Sequence, residues 1–309
     1  INSKGLNTSA IMGFCNTLNE VIQKEKPTHL AVAFDPKGGT FRSEMYAEYK
    51  AQREQTPEDI RKSVPIIKDI LRAMNIDILE AKGFEAADVI GTYATFAGAK
   101  GIETYMLTPD KDYGQLVQEN VRIYKPHSFG GGYDILGPKE VCAKYGIERT
   151  EQVIDLLGLM GDTADNIPGC PGVGEKTAVK LINEFGSIDN LLANTEKLKG
   201  ALQKKVVENT DKIRLSKTLA IISKDVPMEM NIDELERKEI NREEVRRIVD
   251  ELEFRTLMQQ FLGEDKEEEK KPKKPSDTPN LFDLFAPEGT EKENNATLEG
   301  EYSGIGDTI

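Results

Sequence analysis

The sequence predicts an α/β protein with a largely parallel central sheet, followed by an all-helical subdomain. Short apolar runs alternate with helical patterns up to about residue 137, as in strands joined by crossover helices. From about Pro138 to residue 263 the pattern is helical almost throughout. Residues 264–309 are charged and polar, and they cannot bury enough apolar surface to fold alone.

These observations divide the chain into three parts. The strand-like segments are 28–34, 76–81, 102–108 and 121–126, and the helical segments of the same region are 57–74 and 85–100. Pro57 suits the first turn of the helix that follows it. We therefore expect an α/β core over residues 1–137, a helical subdomain over 138–263 and an acidic linker over 264–309.

Composition excludes several classes of protein. The chain has no run of about 18 apolar residues, so we expect no transmembrane helix and no membrane partner, and no signal peptide is visible. Its three cysteines and two histidines have neither disulfide-framework nor zinc-site spacing, so we expect reduced thiols in a cytoplasm. The first residue is Ile1, and we expect a fragment of a longer protein.

The net charge of −13 does not argue against a nucleic-acid partner. Roughly half of it lies in residues 264–309. Seven further acids are candidate metal ligands, and without them residues 1–263 are close to neutral. DNA binding depends on where the basic residues lie.

Seven carboxylates lie near predicted strand ends and helix starts, where α/β sheets place their working residues. They are Asp35, Glu85, Asp88, Asp110, Asp112, Asp162 and Asp165. Each alone fits a helix cap or a turn, but together they indicate convergence on cations. Oxygen ligands favour Mg²⁺ or Mn²⁺, and two such ions about 4 Å apart would suit phosphodiester hydrolysis.

The segment 159-LMGDTADNIPGCPGVGEKTA-178 contains a glycine-rich turn that is not a Walker phosphate loop. Glu175 separates Gly174 from the Lys-Thr pair, and a helical pattern precedes the turn where a Walker loop has a strand. The pattern instead predicts a helix-hairpin-helix over about 151–186, with φ > 0 at its glycines and backbone amides facing a DNA phosphate. Its candidate DNA-binding residues are Gly172, Val173, Gly174, Lys176, Thr177 and Lys180.

A second candidate for nucleic-acid contact is 49-YKAQR-53. Lys50 and Arg53 are spaced to share one face of a helix, and Tyr49 could stack on a base. The alternative is an exposed charged helix.

Five segments together resemble a known family. They are 34-FDPKGGTFR-42, 49-YKAQR-53, 83-GFEAADVIG-91, 108-TPDKDYGQL-116 and the glycine-rich segment above. Over residues 1–262 they are similar, in the same order, to the 5'-nuclease domain at the N-terminus of bacterial DNA polymerase I, in the flap endonuclease superfamily. The resemblance implies a PIN-like core and a 5'→3' exonuclease and flap endonuclease acting in DNA replication and repair. Its implied substrate is DNA with a 5' flap, a nick or an RNA primer end.

The resemblance also implies roles for individual residues. The seven carboxylates would hold two Mg²⁺ ions, for which Mn²⁺ could substitute. Tyr49, Lys50 and Arg53 would belong to a catalytic helical arch over about 41–74, with Arg42 as a neighbouring DNA contact. The loop at 172–174 would hold K⁺, and polymerase domains of the parent chain would be partners.

Two departures from the family pattern bear on activity. The family usually has Glu-Ala-Asp-Asp where this chain has Glu85-Ala86-Ala87-Asp88, so one carboxylate is missing at Ala87. The family also begins with a strand that carries a metal-binding Asp, and we expect this first strand to be missing here. The missing carboxylate predicts weaker metal binding and slower cleavage, and the missing strand predicts that the fragment lacks full activity.

Three alternatives stay open at this point. The chain could be a structure-selective DNA-binding module with weakened catalysis, or a standalone homologue without a polymerase. The apolar island 280-NLFDLFA-286 could dock on a neighbouring domain or bind a partner such as a sliding clamp.

Overall fold

The computed structural model describes residues 1–127 and 131–263, so residues 264–309, including the apolar island at 280–286, lie outside the described residues. Its helices are α1 Ser9–Glu25, α2 Phe41–Met45, α3 Glu58–Ala73, α4 Ala86–Ala99, α5 Pro138–Tyr145, α6 Gln152–Met160, α7 Glu175–Phe185, α8 Ile188–Ala193, α9 Gly200–Glu208, α10 Thr210–Ala220, α11 Arg242–Glu251 and α12 Arg255–Leu262. The strands are β1 Ala31–Ala33, β2 Asp77–Leu79, β3 Thr104–Leu107, β4 Val121–Pro126 and β5 Tyr133–Leu136. Short 3₁₀ helices lie at Lys111–Leu116, Thr195–Lys197 and Asp233–Leu235. No helix within the described ranges is long and apolar enough to cross a membrane.

The strands form two small sheets. β1 pairs in parallel with β2, while β4 lies between β3, which is parallel to it, and β5, which is antiparallel. The predicted α/β class with largely parallel pairing is confirmed, and its strands are divided between two sheets. β1 and β2 have only three residues each, and α4, which packs against both β1 and β3, joins the two sheets.

The first of two hydrophobic cores continues from the β3–β4–β5 sheet into the helical region. It extends from β3 and β4 through α6 and α7 to α10. Leu156, Leu157 and Leu159 of α6 are almost completely buried in it. Each such side chain contributes about 1.5–3 kcal/mol, so the helices of the 152–220 region are fixed against the sheet that carries β3.

The second core joins the two ends of the described chain. It contains apolar residues of α1 and α3 together with those of α11 and α12. The last two helices therefore pack on the N-terminal region, although their position in the sequence had placed them in the helical subdomain over 138–263.

The segment expected to form a helical arch over about 41–74 is not one exposed helix. It consists of α2, consecutive turns up to residue 53, an irregular stretch and then α3. Ile67, Ile70 and Leu71 of α3 are buried in the second core. The second half of the segment is thus a core helix, because its apolar residues recur at helical spacing and face α1.

Candidate functional site

Carboxylates gather around the N-terminus of α4. Asp35 follows β1, and its Oδ1 accepts a hydrogen bond from the backbone N–H of Ala86 at 2.8 Å. Glu85 is the residue immediately before the helix. The positive end of the helix dipole favours both acids at this position.

Asp110 and Asp112 lie where the chain leaves β3 and enters a 3₁₀ helix. Asp110 Oδ1 accepts a hydrogen bond from Asp112 N at 2.9 Å. Loss of hydration raises the pKa of Asp110, and the charges of Asp165 and Asp162 raise it further. Loss of hydration, followed by the charges of Asp110, Asp162 and Asp165, raises the pKa of Asp112 well above its usual range. These acids therefore lie close enough to repel one another.

One oxygen of this cluster has no partner. Asp112 Oδ1 is buried and makes no hydrogen bond within the described residues. A buried acceptor without a donor is costly unless a ligand or an ion completes it. A ligand or an ion could therefore complete this oxygen.

Two basic residues and a tyrosine cover the acids. Lys50 Nζ lies 2.8 Å from Glu85 Oε2 and 3.8 Å from Asp165 Oδ2, and Arg53 forms an ion pair with Asp165. The Tyr49 hydroxyl lies 3.3 Å from Glu85 and 3.4 Å from Asp165. Positive charge is thus held directly over the carboxylates.

The expected helical face for Lys50 and Arg53 is wrong. Both residues lie in consecutive turns, and Lys50 has φ of 55°. The expected stacking of Tyr49 on a base is also wrong, because its side chain is buried beside the acids. Burial, and then the charges of Glu85 and Asp165, raises the pKa of Tyr49, so its hydroxyl stays protonated as a donor.

Lys111 is a site residue that the sequence reasoning missed. Its Nζ lies 3.5 Å from Asp162 Oδ2, and Asp162 itself is 7 % exposed. Burial alone would lower the pKa of Lys111, but the charges of Asp162 and Asp112 outweigh that effect and raise it. Its place between Asp110 and Asp112 in the sequence was the available signal.

Asp88 lies apart from the other candidate metal ligands in its contacts. Arg42 holds it in a bidentate ion pair, with Nη1 donating to Oδ2 at 2.8 Å and Nη2 to Oδ1 at 2.7 Å. Ser223 N and Glu85 N donate to the same two oxygens at 2.8 and 2.9 Å. Asp88 is completely buried, and each of its oxygens already accepts two hydrogen bonds, so the expectation that it ligates metal is wrong.

Arg42 is likewise not a DNA contact. It is 2 % exposed, and besides Asp88 it donates to the backbone oxygens of Leu219 and Ile221. A buried guanidinium with this set of acceptors is fixed inside the protein. The sequence could not distinguish this residue from an exposed arginine beside the basic turn.

The predicted hairpin lies between α6 and α7, which pack against each other. Gly172 has φ of 78°, as expected, but Gly174 is extended with φ of −92° and ψ of −177°. A Cβ at Gly174 would meet nothing within 4 Å, so the approach to the start of α7 is open. Val173 is 4 % exposed and packs in the first core, and its N–H donates to Cys170 O. Its expected role in DNA contact is therefore wrong.

The remaining hairpin residues lie at the start of α7. Lys176 and Lys180 are exposed, and Thr177 is half-buried. No side chain caps the N-terminus of this helix. Lys205 of α9, which the sequence reasoning missed, reaches the loop, with its Nζ 3.5 Å from Gly172 O.

Comparisons with known proteins agree with this arrangement. The N-terminal resolvase-like domain of 5'-3' exonucleases matches residues 1–146, and their C-terminal SAM fold matches residues 148–243. DNA polymerase I of Bacillus caldotenax is 39 % identical over 87 % of this chain, and that of Bacillus subtilis (strain 168) is 41 % identical over 86 %. The chain spans about a third of the length of these relatives, 31 % and 30 %.

Solved structures show the same fold. The bacteriophage T5 D15 flap endonuclease, solved as a pseudo-enzyme-product complex with DNA and metal ions, superposes with a TM-score of 0.59 at 18 % identity. The match covers 82 % of this chain and 93 % of that one. With acids gathered at the strand ends, a helical hairpin beside them and both domain matches in order, the chain belongs to the 5'-3' exonuclease family.

Proposed function

We propose that the protein hydrolyses phosphodiester bonds near the 5' ends of DNA strands, as a 5'→3' exonuclease and flap endonuclease. Its substrates would be 5' flaps, nicks and RNA primer ends. The observation that carries the proposal is the gathering of six carboxylates beside Lys50, Arg53 and Lys111. The six are Asp35, Glu85, Asp110, Asp112, Asp162 and Asp165.

The donor set fits hard divalent cations. All its ligand atoms are oxygens, and Asp112 Oδ1 is buried without a donor. The six carboxylates would hold Mg²⁺, with Mn²⁺ as a substitute. When bound, such ions lower the pKa of the attacking water and stabilise the leaving oxygen.

The basic residues prepare the site for a phosphate. Lys50 and Arg53 now neutralise Glu85 and Asp165, and Lys111 neutralises Asp162. With the acids engaged by cations, these three side chains would be released towards the scissile phosphate. Tyr49, fixed by two carboxylates, orients the turn that carries Lys50 and Arg53.

The hairpin would hold the duplex. The uncapped amides at the start of α7 suit a backbone phosphate, and Lys176 and Lys180 add positive charge. Thr177 and the main chain at Gly172 and Gly174 complete the surface. We also propose that the 172–174 loop binds a K⁺ ion between the protein and the phosphate.

The partners of the chain follow from its relatives. DNA polymerase I relatives extend far beyond the matched region, and we propose that polymerase domains follow this nuclease region in the parent chain. We retain the division into an α/β part over 1–137, a helical part over 138–263 and a linker over 264–309. Clamp binding through residues 280–286 stays a prediction.

A second candidate is a structure-selective DNA-binding module with weak catalysis. Within residues 1–127 and 131–263, no three acidic, histidine or cysteine side chains stand close enough together to hold an ion. Lys50, Arg53 and Lys111 occupy the acids, and Ala87 supplies no carboxylate. This candidate predicts tight binding of flapped duplex without cleavage.

Cleavage of a labelled 5'-flap duplex by the full chain, with Mg²⁺ and with EDTA, tests the proposal. Asp112→Asn keeps the shape of the side chain and removes one ligand charge, while Asp211→Asn on exposed α10 surface is the matched control. We expect Mg²⁺-dependent cuts near the junction that Asp112→Asn abolishes and Asp211→Asn preserves. Binding without cuts would favour the second candidate.

A further inference from the structure

Residues 219–226, here called the clasp segment, lie across the elements that carry the metal-site acids. Arg42, next to the loop that follows Asp35, donates from Nε to Leu219 O at 2.9 Å and from Nη2 to Ile221 O at 2.6 Å. Asp88 of α4 accepts from Ser223 N at 2.8 Å. These buried contacts tie the segment to α2 and to the start of α4.

A third side chain ties the same segment to the 3₁₀ helix after Asp110. Gln115 Oε1 accepts from Ile222 N at 2.8 Å, and its Nε2 donates to Ala220 O at 2.9 Å. The Gln115 amide is 1 % exposed, so it takes the place of a strand partner for the clasp backbone. Thr92 Oγ1 adds a contact by accepting from Val226 N at 3.2 Å.

The clasp segment has no room to shift against α4. A Cβ at Gly91 would lie 2.8 Å from Ile222 Cγ2 and 2.9 Å from Ser223 O. Backbone and side chain are therefore in direct contact, and a change of position would cost packing as well as hydrogen bonds.

The other end of the connection reaches the DNA-holding hairpin. α10, which leads into the clasp segment, packs closely on α6, the first helix of the hairpin. A Cβ at Gly158 of α6 would lie 3.1 Å from Lys217 Cα. Ser216 is fully buried, and its Oγ accepts from Gly169 N, in the loop between α6 and α7, at 2.9 Å.

We propose that Arg42, Asp88 and Gln115 are positioning residues that select which phosphodiester is cut. Through the clasp segment they fix the distance between the start of α7, where a phosphate is held, and the carboxylates. A DNA strand held by a phosphate at the start of α7 would therefore be cut at a defined position beside the carboxylates. The part of this inference that concerns cutting rests on the proposed function.

Single-turnover cleavage of an end-labelled flap, resolved to single nucleotides, measures the cutting position. Gln115→Met keeps the size of the side chain and removes both clasp hydrogen bonds. We expect the ratio of cuts at the main position to cuts at its neighbours to fall about thirtyfold, the change that two lost buried hydrogen bonds make in a two-register equilibrium. Thr92→Val, which removes the hydrogen bonds of the hydroxyl with Val226 N, Asp88 O and Ser223 O, is the second variant should Gln115→Met fail to fold.

Gln152→Met is the matched control. Gln152 is also 1 % exposed and also bridges backbone groups, accepting from Glu148 N and Arg149 N and donating to Gly186 O. These bonds lie within the helical part, at the end of α7 opposite its phosphate-facing amides. We expect a comparable loss of thermal stability with an unchanged cutting position.

A distance measurement tests the inference without cleavage. Spin labels at Tyr105→Cys in β3 and Val207→Cys in α9, which are 48 % and 52 % exposed, report on the two parts in a Cys142→Ser background. The distance distribution should broaden in Gln115→Met and stay narrow in Gln152→Met. A folded Gln115→Met or Thr92→Val chain with unchanged distances and cutting position overturns the inference. If the parent chain does not cut at all, the proposed function fails and the distances alone decide.

Discussion

Acidic side chains in this protein serve two opposite purposes. Asp112 is partly buried, lies beside other acids and keeps one oxygen without a donor. Asp88 is completely buried, yet four hydrogen bonds and a guanidinium satisfy it fully. The number of donors that the fold supplies, and not the residue type, separates the acid that we propose as a cation ligand from the structural acid.

Replacing Asp112 tests how much thermal stability the ion-free protein loses by burying a carboxylate among other acids. Burial, and then the charges of Asp110, Asp162 and Asp165, raises its pKa, so the folded state keeps a proton that the unfolded chain has released. Stability of the ion-free protein therefore falls as pH rises from the ordinary aspartate range through this raised pKa. Asp112→Asn should raise the midpoint of thermal unfolding in EDTA at neutral pH by about 3 °C and flatten its pH dependence. Asp211→Asn is the control, and an unchanged pH slope in Asp112→Asn would contradict this account.

Ala87 offers the opposite substitution. It stands in the first turn of α4 between Glu85 and Asp88, where the helix dipole favours an acid. Ala87→Asp should tighten Mn²⁺ binding about tenfold, equivalent to about 1.4 kcal/mol, measured by titration calorimetry. Ala143→Asp, which adds the same charge to the exposed side of α5, should leave the affinity unchanged. Equal affinities in parent and Ala87→Asp would exclude a ligand role for this position.

At the scale of the element, the two glycines of the hairpin have different roles, one in folding and the other in binding. Gly172 needs its positive φ, and a Cβ there would lie 2.7 Å from Lys205 Nζ. Gly174 has an ordinary extended backbone and open space at its Cβ position. The first glycine is thus required by the turn, while the second keeps the start of α7 accessible.

Alanine at each glycine should separate the two roles. Gly172→Ala should lower the free energy of unfolding by about 1 kcal/mol because alanine is strained at positive φ, and it should also weaken DNA binding. Gly174→Ala should keep full stability and weaken only DNA binding, because its methyl group covers the phosphate approach. Denaturant unfolding and fluorescence anisotropy with duplex DNA measure the two quantities. A stable Gly174→Ala chain with parental affinity would argue against phosphate binding at this helix end.

At the scale of the whole molecule, the last described helices pack against the first ones, an arrangement called closure here. α11 and α12 complete the core that α1 and α3 begin, while α10 and the clasp segment connect the hairpin to the acids. The α/β part is therefore stabilised by helices that follow the hairpin in sequence.

A truncation tests this closure. A chain that ends at residue 240 lacks Val249, Phe254 and Leu257, which are 1 %, 4 % and 1 % exposed in the second core. Losing each such side chain costs about 2–5 kcal/mol, so this chain should unfold or bind a hydrophobic dye. A chain that ends at residue 263 is the reference, and equal thermal midpoints for the two would refute the closure.

The sequence by itself determined the α/β class, the alternation of strands and helices and the hairpin between α6 and α7, and it supplied the acids that we propose as metal ligands. These features depend on local periodicity, turn residues and spacing, which the chain carries in short segments. The sequence did not reveal α1 or β5. It also predicted that Arg42 contacts DNA and that Asp88 binds metal.

Only the tertiary structure decided those last assignments. The sequence alone does not show whether an arginine or an aspartate is exposed to solvent, bound to an ion or paired inside the protein. Arg42 and Asp88 pair with each other, and both also bind backbone groups of residues 219–223, far away in the chain. Such contacts between residues far apart in the sequence form only when the chain packs. A buried charged group has lost its water, so it must bind the donors or acceptors that the fold places beside it.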